Sequence, residues 1–241
     1  MSVLVLLSYA TVLHKDTCGI ITAFDLTRIN QRFLQNIRPW FNDVAILWNN
    51  QNTTCAVINN ITCINTTRDR LDNKYHIPLI LPHCKYYVLF DDDVTFDLDI
   101  LDCMRNSILQ TTSIISAPVS SMRYIDKYGM KIGKIKAFHA VIPQLIYIKR
   151  QALEMYKTCV QTDKEQINLC DDFSFANCLF KYEQRPIIGI VGKTHTHHYH
   201  RNSLSHSKTH LIQRSSCVTT APNISFTYKC SSKPRYNILG R

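Results

Sequence analysis

Tyr86-Tyr87-Val88-Leu89-Phe90-Asp91-Asp92-Asp93-Val94 is the most informative stretch of this chain. Five apolar residues without a break read as a strand buried on both faces, as in a parallel sheet covered by helices. The strand runs straight into three carboxylates. In open α/β sheets ligands bind at the carboxyl ends of the strands, so the triplet stands where a site belongs. Three packed acids repel one another unless a cation neutralises them. Oxygen-only ligands suit a hard divalent ion such as Mg²⁺ or Mn²⁺, which can also hold a diphosphate. The plainer alternative is a solvated acidic turn that caps the next helix through Asp97 or Asp99.

Upstream, Gly19–Phe24 is apolar and β-branched, a second buried strand. Asp25-Leu26-Thr27 is a turn and helix cap. Arg28–Ile37 has helical spacing, with Ile29, Phe33, Leu34 and Ile37 on one side and Pro39 closing it. Val44–Trp48 is a strand ending at Asn49-Asn50, and a polar loop rich in Asn and Thr follows from Gln51 to Thr67. Arg68–Tyr75 is a short polar helix. Downstream come a helix over Leu98–Leu109, strands over Ser113–Val119 and Ala140–Ile148, helices over Lys149–Cys159 and Asp171–Lys181, and a strand over Ile187–Val191. This alternation predicts an α/β fold with a largely parallel sheet.

Composition sets the outer limits. The 241 residues are 45% hydrophobic and 19% charged, which excludes a disordered chain; 6 Gly and 8 Pro exclude a collagen-like one. No apolar run reaches the roughly 18 residues of a spanning helix. Val3–Leu13 is broken by Ser8, Tyr9 and Thr11, and has neither a preceding basic residue nor a small-residue cleavage site, so it makes a poor signal peptide. The expectation is a soluble, cytoplasmic protein, or a lumenal one if an anchor has been lost. A net charge of +10 favours an anionic partner, and the chain beyond Lys193 is basic and poor in acids. The 10 cysteines include no CxxC pair, which argues against a zinc ribbon or a thioredoxin-like site. Glycosylation acceptor triplets begin at Asn52, Asn60, Asn65 and Asn223, but such triplets arise easily in an Asn/Thr-rich stretch, and the compartment stays open.

Two more groups bear chemistry. Cys170-Asp171-Asp172-Phe173 opens a helix; one acid there can serve the helix dipole, which leaves the other for a different task. His195, His197, His198, His200, His206 and His210 form a cluster. Its spacing fits a solvated run better than a dedicated zinc site, though a single histidine completing a metal–diphosphate site is compatible with it.

Several segments taken in order resemble the exostosin-like glycosyltransferases, a retaining GT-A family. Ile21–Phe24 and the following helix match its first strand and loop, and Val44–Asn50 is similar to its second strand ending in Trp-Asn-Asn. Asn65-Thr66-Thr67-Arg68-Asp69-Arg70-Leu71 resembles Asn-x-x-Arg-x-Arg-Leu, and Phe90–Val94 resembles the Asp-Asp-Asp metal motif. Asn168–Asp172 is similar to the Asn-Cys-(Glu/Asp)-Asp segment, and His210–Cys217 to His-x-x-Gln-Arg-Ser-x-Cys. The matches span roughly residues 18 to 240. Members without an anchor, coded by large algal viruses, are similar in this respect.

The resemblance implies a GT-A fold: a Rossmann-like mixed sheet flanked by helices, one domain over 1–241, with a nucleotide-sugar half over about 18–110 and an acceptor and catalytic half over about 111–241. It implies transfer of a sugar (GlcNAc, GalNAc, GlcA or xylose) from its UDP conjugate to a glycan hydroxyl, with Mn²⁺ or Mg²⁺ as cofactor. Asp93 and Asp91 would bind the metal. Thr22, Asn49, Asn50, Asn65, Arg70, Asp91, Asp92 and His210 would bind the substrate, with His210 approaching the diphosphate. Asp172 would lie by the anomeric carbon, supported by Asp171 and Arg214, and Cys170 with Cys217 resembles a disulfide-forming pair. The acceptor would meet loops of the second half, such as Met122–Ala137. One departure stands out: the family's first loop carries Tyr-Asn-Arg, whose Arg approaches the nucleobase. Phe24-Asp25-Leu26 stands there instead, and Arg28 is the candidate replacement. Two other classes compete. One is a metal-dependent nucleic-acid-binding or nuclease-type protein, disfavoured because aromatic and basic residues do not interleave. The other is an inactive sugar-binding domain of the same fold. The resemblance implies neither a nucleic-acid partner nor a membrane span.

Overall fold

In a computed structural model the described residues are 15–50, 52–55, 57–58, 61–66, 73–76, 81–119, 122–126, 129–132, 140–141, 144–160, 171–183, 187–191, 197–198 and 227–229. In chain order the elements are β1 (Thr17–Ala23), α1 (Gln31–Ile37), β2 (Asp43–Trp48), β3 (Val57–Ile58), β4 (Ile61–Asn65), α2 (Asn73–His76), β5 (Tyr86–Asp91), β6 (Val94–Thr95) and α3 (Leu98–Leu109). There follow β7 (Ile115–Pro118), β8 (Met122–Asp126), β9 (Gly129–Ile132), β10 (Ala140–Val141), β11 (Leu145–Lys149), α4 (Arg150–Val160), α5 (Asp171–Tyr182), β12 (Ile187–Val191), β13 (His197–His198) and β14 (Thr227–Lys229).

The main sheet has the order β14-β12-β7-β11-β5-β1-β2-β4-β3. β4, β2, β1 and β5 run parallel, β11 runs antiparallel to both β5 and β7, and β7, β12 and β14 are again parallel to one another. This is a mixed α/β sheet flanked by helices.

Its centre is apolar on both sides because its strands are covered on both sides. All seven residues of β1 are buried. Along β5, Tyr87 and Leu89 enter one core layer, while Val88 and Phe90 enter the other. The two-residue period of a strand divides every central strand in this way. One layer packs under α2, α4 and α5 through Tyr75, Leu153, Tyr156, Phe175 and Leu179; the other packs under α1 and α3 through Leu34, Ile37, Leu101, Met104 and Ile108. Gly19 allows α1's side of the sheet to close tightly: a Cβ there would meet the Phe41 ring at 3.2 Å.

Most expected elements are present within a residue or two, and three stretches differ. The helix expected over Arg28–Ile37 begins only at Gln31. Asp25 Oδ1 accepts from Thr27 N–H (2.9 Å) and closes a 3₁₀ turn over Leu26–Arg28, Ile29 is extended, and Asn30 Oδ1 caps the new helix at Phe33 N–H (3.0 Å). Two short polar caps in a row divide the segment. The polar loop expected over 51–67 contains β3 and β4, and β4 extends the main sheet. A Cys55–Cys63 disulfide and a double hydrogen bond of the Asn65 amide to the Cys55 backbone (2.9 and 2.7 Å) hold it there, and Ile61, Thr62 and Ile64 are themselves strand-favouring residues. β8, β9 and β10 form a separate three-stranded sheet: β8 and β9 fall where acceptor loops are expected, and the single strand expected over Ala140–Ile148 is divided into β10 and β11.

Cys18–Cys84 and Cys159–Cys178 are also joined, Cys103 is disulfide-bonded, and no described cysteine is free. No described helix is long and apolar enough to cross a membrane.

Candidate functional site

From β1 the chain goes to β2 on one side and later returns to β5 on the other. The strand order reverses there, beyond the carboxyl ends of β1, β2 and β5, and in open α/β sheets such a switch point is where a crevice receives ligands. Thr22, Asn49, Asn50, Asp91, Asp92 and Asp93 are brought together there.

The acids are fixed by the backbone around them. Asp92 N–H donates to Thr22 carbonyl (3.0 Å), and Phe24 N–H donates back to Asp92 Oδ2 (3.2 Å). Asp92 and Asp93 are both buried. One cationic group holds them: Arg28 Nη2 lies 2.5 Å from Asp93 Oδ2 and 3.3 Å from Asp92 Oδ1. Burial nevertheless pushes the Asp92 carboxyl up to about 6, outweighing the lowering by Arg28 and by the Phe24 N–H. Among the described residues, with all groups ionised, the Asp92 and Asp93 carboxylates outnumber the one guanidinium that holds them.

The asparagines form the neighbouring wall. Asn49 is fully buried; its N–H donates to Ala23 carbonyl (2.9 Å), and its Oδ1 accepts from Thr66 Oγ1 (3.1 Å) and Asn73 Nδ2 (3.0 Å). Asn50 Nδ2 donates to Phe24 carbonyl (3.2 Å), so Asn50 braces the first loop. Asn65, expected at the substrate, instead clamps Cys55.

Asp171 and Asp172 are the first two residues of α5. Further along that helix, Phe175 stacks on Tyr75 of α2 with ring centroids 4.0 Å apart and planes 6° apart. Since α2 also carries Asn73, the partner of Asn49, two links of packing and hydrogen bonding connect α5 to the crevice. Arg70, Cys170, His210, Arg214 and Cys217 lie outside the described residues.

The sequence reading missed several contributors. Arg28, a candidate from sequence to replace the family's nucleobase arginine, lies on Asp92 and Asp93. Thr66 and Asn73 had no assigned role. β13 pairs antiparallel with β6, placing His197 opposite Thr95 and His198 opposite Val94, directly after the acidic triplet. Nothing local signalled that pairing.

The donor chemistry fits a divalent cation. Asp92 and Asp93 supply hard oxygen ligands and converge on one positive group, and Thr22 Oγ1 is buried with no hydrogen-bond partner among the described residues. Among the described residues, the group of three possible ligands whose ligand atoms lie within 4.8 Å of one another is Cys18, His83 and Cys84, at the opposite end of β1, where the two sulfurs are bonded to each other; the three carboxylates of the triplet are not gathered that closely.

Comparisons with protein-family models and with curated proteins find no match. Among solved structures, the chain is similar to A197 from STIV, with a TM-score of 0.43 and 12% identity over 76% of this chain and 85% of that one. The fold described above rests on this chain's own strand order and register.

Proposed function

We propose that this protein is a divalent-cation-dependent glycosyltransferase of GT-A type, moving a sugar from a UDP-sugar to a hydroxyl of a glycan acceptor. One observation carries the reading: a buried pair of carboxylates, Asp92 and Asp93, gathered by a cationic group at the switch point of the sheet. The site's negative charge suits a cation that in turn receives an anionic diphosphate. The net charge of +10 suits an anionic substrate.

In this reading Asp91, Asp92 and Asp93 hold Mn²⁺ or Mg²⁺, which supplies charge neutralisation at the departing nucleoside diphosphate. Asn49 and Asn50 shape the wall that receives the nucleoside. Asp172, at the start of α5, stabilises positive charge at the anomeric carbon, as carboxylates do in glycoside hydrolysis. Asp171, Arg214 and His210 complete the roles that the resemblance implies. Of the two compartments that the sequence leaves open, the disulfides support an oxidising one.

A thermal-shift screen of nucleotide sugars with and without Mn²⁺ tests the reading. Stabilisation by a UDP-sugar that requires Mn²⁺ is the expected result. Stabilisation by oligonucleotides alone would favour the nucleic-acid alternative. Binding without transfer to any glycan acceptor would favour the inactive sugar-binding alternative.

A further inference from the structure

The acidic triplet already has a positive partner, and the partner belongs to the chain. We propose that Arg28 is an exchangeable counter-ion: it holds Asp92 and Asp93 together in the cation-free protein and leaves them when a divalent ion takes their oxygens. The threshold for loading the site is then set by an arginine. This rests on the reading of the triplet as a cation site.

Three features support exchange over a permanent structural pair. The first is exclusion. Arg28 Nη2 lies 2.5 Å from Asp93 Oδ2 and 3.3 Å from Asp92 Oδ1. A Mg²⁺-sized ion sits about 2.1 Å from its oxygen ligands, so it would crowd the guanidinium charge against its own. The second is an incomplete hold. Both contacts run through Nη2, without the two-nitrogen fork of a bidentate arginine–carboxylate pair, and Nε is buried with no hydrogen-bond partner among the described residues. The third is freedom to leave. Arg28 ends a single 3₁₀ turn over Leu26–Arg28, outside every sheet, and its side chain is 21% exposed. Its departure breaks no strand pairing.

The test is calorimetric titration of Mn²⁺ into metal-free protein, without nucleotide, for wild type, Arg28→Gln and Arg28→Lys. Loss of the competing charge predicts at least about tenfold tighter binding in R28Q, with R28K within about threefold of wild type. Equal affinity in all three would overturn the exchange and leave the cation site standing. Equal gains in R28Q and R28K would also overturn it, because charge would then not be the competitor. Absence of binding in every variant would remove both the exchange and the cation site. Arginine side-chain NMR during a Mg²⁺ titration tests wild type independently of any variant. The Arg28 signal should shift with the same midpoint as ion binding, and a signal that stays still while the ion binds overturns the proposal.

Discussion

At the scale of single residues, the crevice is a place where burial competes with pairing. Asp92 touches a guanidinium and a backbone N–H, yet burial keeps its carboxyl about two pH units above the ordinary value of 3.8. The raised value fixes a sign. Between about pH 4 and 6 the folded protein holds a proton on Asp92 that the unfolded chain releases, so this contribution to stability is full at low pH and is lost as pH rises through about 6. In metal-free protein, Asp92→Asn should therefore melt higher relative to wild type at about pH 7 than at about pH 4.5. A difference between the two that does not change with pH contradicts the assignment. Asn49 poses the opposite case, a buried polar group fully engaged. Asn49→Ala removes the acceptor of Asn73 Nδ2, while Thr66 Oγ1 keeps the Trp48 carbonyl, and should cost about 1–3 kcal/mol in urea unfolding.

At the scale of elements, α5 carries the catalytic proposal and an aromatic anchor. Phe175 is buried, stacked on Tyr75 and edge-on to Tyr156 at 5.1 Å. Phe175→Ala should cost about 3–5 kcal/mol in chemical unfolding. Asp172→Asn, at the start of the same helix, should keep the melting temperature and UDP-sugar binding and lose turnover. Turnover at the wild-type level in D172N would remove that residue from the mechanism.

What the sequence made legible at this scale follows from the strength of each local signal. α3 and β12 were placed at their observed bounds, because a strong helical period and a run that is β-branched at every position but Gly189 leave little choice. β4 was not legible: within Ile61–Asn65 only Ile61 is buried, and its place in the sheet depends on a disulfide and an amide clamp eight to ten residues away. The acidic triplet was readable as a candidate, and its place at the carboxyl end of a buried strand was legible, because strand and carboxylates are contiguous. Its partner Arg28 was not, because 65 residues separate it from Asp93, and only the parallel pairing of β1 with β5 brings the two together.

For the whole molecule, two separate devices hold the central strands in place. Packing fills both faces of the sheet, and Cys18–Cys84 ties the start of β1 to the segment entering β5 across a sequence separation of 66. Closing a loop of that length restricts the unfolded chain by about 4 kcal/mol in the chain-entropy estimate. The double variant Cys18→Ala/Cys84→Ala should lose stability of that order while its circular dichroism spectrum is preserved. A loss below about 1 kcal/mol would mean that packing alone sets the register. The bond lies at the end of β1 opposite Asp92, so cation binding by the crevice should survive its removal.

The central claim is that the crevice beyond β1, β2 and β5 takes a uridine nucleotide through a divalent ion held by the acidic triplet. Calorimetric titration of UDP into wild type and Asp93→Asn, each with and without Mn²⁺, tests this most directly. The account predicts binding in wild type only with Mn²⁺ present, and its loss in D93N with the melting temperature retained. UDP binding of equal affinity in both proteins, or in wild type without the ion, would contradict it.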